Sequence, residues 1–175
     1  MRKVKLFSIF HLPTSILYAM LFLTMAVGCN TVVDDEDNEV KEYVTLGDPV
    51  PLFTVETVAA DGTVGTFSTT KLTGETVIIF FNTWCGDCQR ELPLLNDYYL
   101  QHREDNGFQM VAISREEGEE SVAAFWKEQG LMIPYSAQND RRIYQLFASS
   151  VIPRVYYCTT DGIVHRIFIE NKYVE

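Results

Sequence analysis

Residues Phe80–Pro93 read F-F-N-T-W-C-G-D-C-Q-R-E-L-P, and the use made of the two cysteines decides how the chain is read. Two thiols two residues apart bind a metal, form a structural staple or carry out redox chemistry, and each use demands different surroundings. Upstream, Val77–Asn82 (V-I-I-F-F-N) is a continuous apolar run of strand length, as expected for a strand covered on both faces. Downstream, a helix is expected from Cys85 to about Arg103, with Leu92, Leu95 and Tyr99 on one face. The pair therefore sits where a buried strand turns into a helix. Backbone N–H groups and the positive end of the macrodipole favour a thiolate there. On this reading Cys85, at the helix start, is the nucleophile, and Cys88, one turn in, is the more enclosed resolving thiol. A zinc site would need two further ligands, but Cys158 lies in a predicted strand and His102 near the far end of the same helix. No metal and no cofactor is expected. A purely structural disulfide stays open as the alternative.

Punctuation organises the rest of the domain. Pro51–Val58 and Thr63–Ser68 flank the turn residues Ala60-Asp61-Gly62, which predicts a hairpin. Phe108–Ser114 is a second buried strand, Ser121–Gln129 a helix stopped by Gly130, and Asp140–Phe147 a third, short helix. Val155–Thr159 and Ile163–Ile169 are strands joined by T-T-D-G. The order β-α-β-α-β-β implies an α/β sandwich with a mixed sheet. Trp126 and Phe125 read as core, and Cys158 as a buried, inert thiol.

The N-terminal part does not belong to that core. Arg2, Lys3 and Lys5 precede an apolar run from Ile16 to Val27, interrupted by Thr24, and Ala26-Val27-Gly28-Cys29 follows. The run would make about 18 Å of helix against a hydrocarbon core of about 30 Å, so it reads as a signal-peptide h-region. The last four residues resemble the lipobox of bacterial lipoproteins, which implies a lipidated Cys29. An ordinary cleaved signal and an uncleaved anchor are the alternatives. The expected division is a lipoprotein signal peptide over 1–28, an acidic tether over 29–45 and a globular domain over 46–175. All three N-terminal readings put that domain outside the cytoplasm, on the periplasmic face or the cell surface, with the membrane reached through the N-terminus. Asp34-Asp35-Glu36-Asp37 resembles a surface-export signal, and as a plain tether it would self-repel. Removing residues 1–28 takes away three positive charges and no negative ones, so the formal charge moves from −10 to −13. Nucleic acid is excluded as a partner on that balance.

V-I-I-F-F-N-T followed by Trp84-Cys85-x-x-Cys88 closely resembles the thioredoxin superfamily, in particular the TlpA/ResA-like membrane-tethered thiol-disulfide oxidoreductases. The resemblance runs from about Leu46 to Ile169. It is also carried by Gly47–Phe53 (G-D-P-V-P-L-F), by Glu91-Leu92-Pro93 and by Val151-Ile152-Pro153. It implies a thioredoxin-like three-layer sandwich with a mixed central sheet and an N-terminal β-hairpin extension. It further implies a cis Pro153 facing the cysteines, an Ile152 that offers its backbone to substrate, a Trp84 beside the pair and a Glu91 that transfers protons. Arg154, next to the proline, either steers an acidic partner or is a surface cation. Trp84 and Glu91 also have plain readings, as a corner-filling aromatic and an ordinary first-turn glutamate.

Two departures from the family pattern matter. Asp87 stands where a proline is common, and a carboxylate beside the dithiol opposes thiolate formation, which favours a reductant. The closing helix of the family is also missing, since only Glu170–Glu175 remain after the last predicted strand. Three functions follow. The first is dithiol-disulfide exchange with disulfide-bearing proteins, re-reduced by a membrane electron donor. The second is a peroxiredoxin-like thiol peroxidase, disfavoured because Asn82 stands three residues before Cys85 where Thr or Ser is needed. The third is a redox-silent surface lipoprotein that uses the fold as an interaction module. Substrate and oligomeric state are not written in these motifs.

Overall fold

The computed structural model describes residues 40–170 and 172–174. The expected signal peptide, Cys29 and the Asp34–Asp37 run lie outside the described residues. Eight strands form one mixed sheet: β1 (Thr54–Val58), β2 (Val64–Ser68), β3 (Thr76–Phe81), β4 (Gln109–Ser114), β5 (Tyr135–Ser136), β6 (Arg154–Cys158), β7 (Val164–Ile169) and β8 (Lys172–Val174). Their spatial order is β2-β1-β5-β4-β3-β6-β7-β8. Among the described residues there are also two α-helices, α1 (Gly86–His102) and α2 (Glu119–Gln129), and two 3-10 turns. The fold class is thioredoxin-like α/β, as the motifs imply.

Strand β3 is buried along its whole length and lies between parallel β4 and antiparallel β6. A strand flanked on both edges and both faces needs an unbroken apolar sequence, which T-V-I-I-F-F supplies. Its side chains alternate between two unlike layers. Phe81 packs on Trp126 of α2, with ring centroids 4.8 Å apart, and Tyr98 of α1 meets Tyr157, whose register partner is Val77. Both helices therefore cover the Val77–Phe81 face. On the other face Phe80 is surrounded by Tyr144, Phe147 and Tyr156 at 5.4, 4.8 and 6.2 Å, and Phe53 extends the cluster from Phe147. Edge-on and tilted rings at these distances are favourable packings.

That second layer differs from the expected one. The helix predicted over Asp140–Phe147 is a single 3-10 turn, Tyr144–Leu146. Asp140 accepts the Arg142 N–H at 2.9 Å, a local side-chain turn that competes with helix propagation. Helix α2 starts at Glu119, two residues before the predicted start, with Glu119 and Glu120 in the first turn, where the macrodipole favours carboxylates. Gly130 closes it in the left-handed region (φ 63°), as expected. Strand β5 went unpredicted because two residues carry no period, yet it joins the β1–β2 hairpin to β4 through Val58↔Tyr135 and Ala112↔Tyr135. After β7 the described chain forms β8 rather than a helix.

The globular unit also begins earlier than Leu46. Val44 is buried, the Tyr43 N–H donates to Phe147 O at 2.9 Å, and the Ser149 N–H donates to Lys41 O at 2.9 Å. Residues 41–45, assigned from their polarity to the tether, thus form a strap along Phe147–Ser149. Its fastener is Glu42, whose carboxylate takes both terminal nitrogens of Arg154, one at 2.7 Å and the other at 2.5 Å.

Arg154 is 0% exposed, and its guanidinium also donates to Ser150 O and Val151 O. Removing it takes the guanidinium from the Ser150 carbonyl and the Glu42 carboxylate and leaves the Val151 carbonyl with one of its two donors. Arg154→Met should lower the unfolding free energy by about 3 kcal/mol. Glu42→Gln keeps the fully buried guanidinium but removes its counter-charge, so it should cost a comparable ~3 kcal/mol. Urea unfolding of both variants checks this, and either variant as stable as the parent would refute it.

Candidate active site

Strand β3 ends at Phe81, and α1 begins at Gly86 after four intervening residues. Cys85 is the N-cap of α1, with extended backbone (φ −83°, ψ 114°), and its N–H donates to Asn82 O at 3.3 Å. The turn between is held from outside: the Thr83 N–H donates to Glu117 Oε2 at 2.7 Å, the Thr83 hydroxyl donates to the other oxygen of Glu117, and Gln89 Nε2 returns to Thr83 O at 2.7 Å. Nothing in the sequence marks Glu117 for this task, because it belongs to the loop after β4.

The two sulfurs are brought together unequally. Cys85 is half-buried and Cys88 is buried. Cys85 Sγ accepts from the Cys88 N–H at 3.3 Å and from the Cys88 thiol at 2.7 Å, and its own thiol faces Ile152 O at 3.7 Å. Burial pushes the Cys88 pKa well above the usual thiol range, and the hydrogen bond to Cys85 adds to the rise. The Asn82 backbone lowers it in part, and the nearby charges of Cys85 and Asp87 add smaller raising effects. Cys88 is thus held as a protonated thiol aimed at Cys85. Asp87 itself is ion-paired with Arg90 on the exposed side of α1, which offsets its charge toward the sulfurs. Cys158 is buried in β6, where desolvation pushes its pKa up to about 12.

The loop before β6 supplies the opposite wall. The Ile152–Pro153 peptide is cis, and Val151 has φ 76°, a left-handed conformation that a β-branched residue rarely adopts. Its carbonyl is fastened twice, by Arg154 Nε at 3.0 Å and by the Tyr144 hydroxyl at 2.7 Å. Two donors on one carbonyl over-determine the unusual backbone. Arg154 is therefore neither a surface cation nor a side chain able to touch a partner. It is buried behind the loop because its register places it opposite Phe80, inside the sheet, where Glu42, the Ser150 and Val151 carbonyls and the Tyr156 hydroxyl satisfy it. Ile152 buries its side chain and leaves its carbonyl toward Cys85. Trp84 is 68% exposed beside Cys85 and so does not fill the strand–helix corner. Glu91 is half-buried one turn after Cys88 on α1.

The comparisons with known proteins agree with this geometry. The model of the AhpC/TSA family matches residues 46–167. The thiol-disulfide oxidoreductase ResA of Oceanobacillus iheyensis is 25% identical over 150 residues, 85% of this chain and 77% of that protein. A solution structure from Bacteroides thetaiotaomicron superposes with a TM-score of 0.68 at 25% identity, covering 77% of this chain and 84% of the other. A thiol:disulfide interchange protein of the thioredoxin family from Chlorobium tepidum TLS superposes with a TM-score of 0.58 at 24% identity, covering 71% and 86%, and supports the fold. With the cysteine pair at the end of a central buried strand and a family match over most of its length, the chain belongs to the AhpC/TSA family and is ResA-like within it.

Proposed function

We propose that the protein is a thiol-disulfide oxidoreductase in which Cys85 and Cys88 reduce disulfide-bearing proteins outside the cytoplasm. The observation that carries this is the inequality of the two sulfurs: Cys85 is reachable beside the Ile152 carbonyl, and Cys88 is buried with its thiol directed at Cys85. Cys85, as thiolate, attacks one sulfur of the substrate disulfide. That S–S bond breaks, the released substrate sulfur takes up a proton, and a mixed disulfide with Cys85 remains. Cys88 then loses its proton and attacks Cys85 Sγ, expelling the second substrate sulfur as a thiol. Two electrons and two protons pass to the substrate, and the Cys85–Cys88 disulfide is re-reduced by a membrane electron donor. Glu91, at i+3 from Cys88 on α1, lies on the side of the helix suited to take the Cys88 proton. Ile152 and Pro153 present backbone to the substrate, and Trp84 covers the approach to Cys85.

Lipidation of Cys29, after loss of residues 1–28, would hold this domain on a bacterial membrane. Intact-mass analysis of the membrane-extracted protein should find acylated Cys29 as the first residue; an unmodified terminus elsewhere would rule the anchor out.

The redox reading is tested by trapping. Cys88→Ser should accumulate mixed disulfides through Cys85, visible as adducts that dithiothreitol dissolves, whereas Cys85→Ser should accumulate none. A Cys88→Ser protein with no adducts in its native membranes would favour a redox-silent interaction module instead.

Direction of flow is tested at Asp87. A neighbouring carboxylate disfavours thiolate, and stabilised thiolate is what makes such a pair oxidising. Because Arg90 offsets that charge, Asp87→Asn should raise the reduction potential by only about 10 mV, equivalent to about 0.5 kcal/mol for a two-electron couple. An unchanged or lower potential in a glutathione titration would remove Asp87 from the argument for a reductant.

A further inference from the structure

Beside the redox pair lies a cavity of about 260 Å³ lined by Asn82, Trp84, Arg115, Glu116 and Arg141. Two of these residues belong to the turn that carries Cys85, so anything bound here sits within a few residues of the sulfur under attack. The residues lining it carry three buried side-chain polar atoms with no hydrogen-bond partner, on Asn82, Arg115 and Arg141. Asn82 is 1% exposed and its Oδ1 is buried and unpaired; Arg115 Nε is likewise buried and unpaired. An unpaired buried donor or acceptor costs about as much as a lost hydrogen bond, so three of them among the residues lining one cavity call for a reason.

The charges point to what fits. Arg141 Nε lies 3.1 Å from Glu116, an ion pair at the rim. Among the described residues Arg115 has no carboxylate partner, and its guanidinium rests over the Tyr144 ring, 5.4 Å from the centroid. Glu117, the next acidic neighbour, is engaged with Thr83. One uncompensated guanidinium thus faces a partly enclosed cavity in a chain of net charge −10. A half-buried cation whose Nε is buried and unpaired selects an anionic acceptor, and a carboxylate meets its geometry well. Asn82 Oδ1 requires the opposite, a donor. A simple anion supplies acceptors only, whereas an acidic residue in a polypeptide supplies a carboxylate and a backbone N–H together.

We infer that this cavity is a specificity subsite for an acidic side chain close to the target cysteine of a polypeptide substrate, with Arg115 pairing its carboxylate and Asn82 accepting a peptide N–H. The inference takes its substrate from the oxidoreductase reading but concerns binding, so the two fail separately. Peptide disulfides are prepared with Glu or Gln at one of the two residues on either side of the cysteine. Wild type should reduce one Glu peptide with a kcat/KM about tenfold above its Gln twin, with the advantage shrinking as salt is raised. Arg115→Gln should abolish the advantage, so that the Glu and Gln peptides are reduced with the same kcat/KM. In parallel, peptides with Ser in place of Cys are titrated by the change in tryptophan fluorescence, to which the exposed Trp84 at the cavity contributes, and the same tenfold preference should appear in binding. Equal rates and equal affinities for every Glu/Gln pair in wild type would overturn the subsite, a result that needs no variant to fold. A preference that persists in Arg115→Gln would overturn it as well. Preferential binding without any peptide reduction would instead strike the oxidoreductase reading and leave the subsite standing.

Discussion

The register between β3 and β6 is the constraint on which the site depends. Phe80 pairs with Arg154, so the chain leaving the end of β3 and the chain entering β6 emerge side by side at one edge of the core. From the first comes Cys85, and from the second the Ile152 carbonyl that faces it. A slip of one residue would turn every side chain of β3 to the opposite layer and separate the two walls. The complete burial of β3 makes that slip expensive, because its two faces meet unlike partners, helices on one and a ring cluster on the other. The chemistry at the strand end thus inherits its precision from apolar packing several residues away.

The ring-cluster face shows how a thin layer is kept rigid without a helix. Among the described residues a 3-10 turn, the strap and the segment carrying Phe53 cover it. Rigidity comes from Phe53, Phe80, Tyr144, Phe147 and Tyr156 packed as rings, and from one buried guanidinium that binds strap, loop and strand together. A charge in such a place is costly unless every donor is used. Here the acceptors are a carboxylate and two loop carbonyls, so the charge is satisfied and the left-handed Val151 is locked by the same contacts.

Much of this was readable from the chain. The long apolar runs, the W-C-x-x-C at a strand–helix junction and the Gly130 stop carry strong local physics, and they place β3, β4, α1, α2 and both redox thiols. What could not be read depended on distant partners. Arg154 looks like any arginine after a proline until Glu42, far away in sequence, is folded beside it. The strap was read as tether because K-E-Y-V-T is polar, although a single buried Val44 and shared carbonyls hold it down. Asp140–Phe147 has helical composition, yet the Asp140 side chain turns the chain early and the two buried rings do the packing. Glu117 and Arg115 follow β4 with no periodic or motif signal, and only the topology brings them to the cysteines.

Tyr144 has two neighbours that belong to different parts of the site. Its ring carries the guanidinium groups of Arg115 and Arg141, and its hydroxyl holds the Val151 carbonyl of the loop opposite Cys85. Whatever occupies the arginines and whatever lies along the loop are thus joined through one buried side chain. Such a joint is reciprocal: if filling one side changes the affinity of the other, the reverse change must be equal in free energy. Recognition at the arginines and alignment at the sulfur would then be two readouts of a single tyrosine's position.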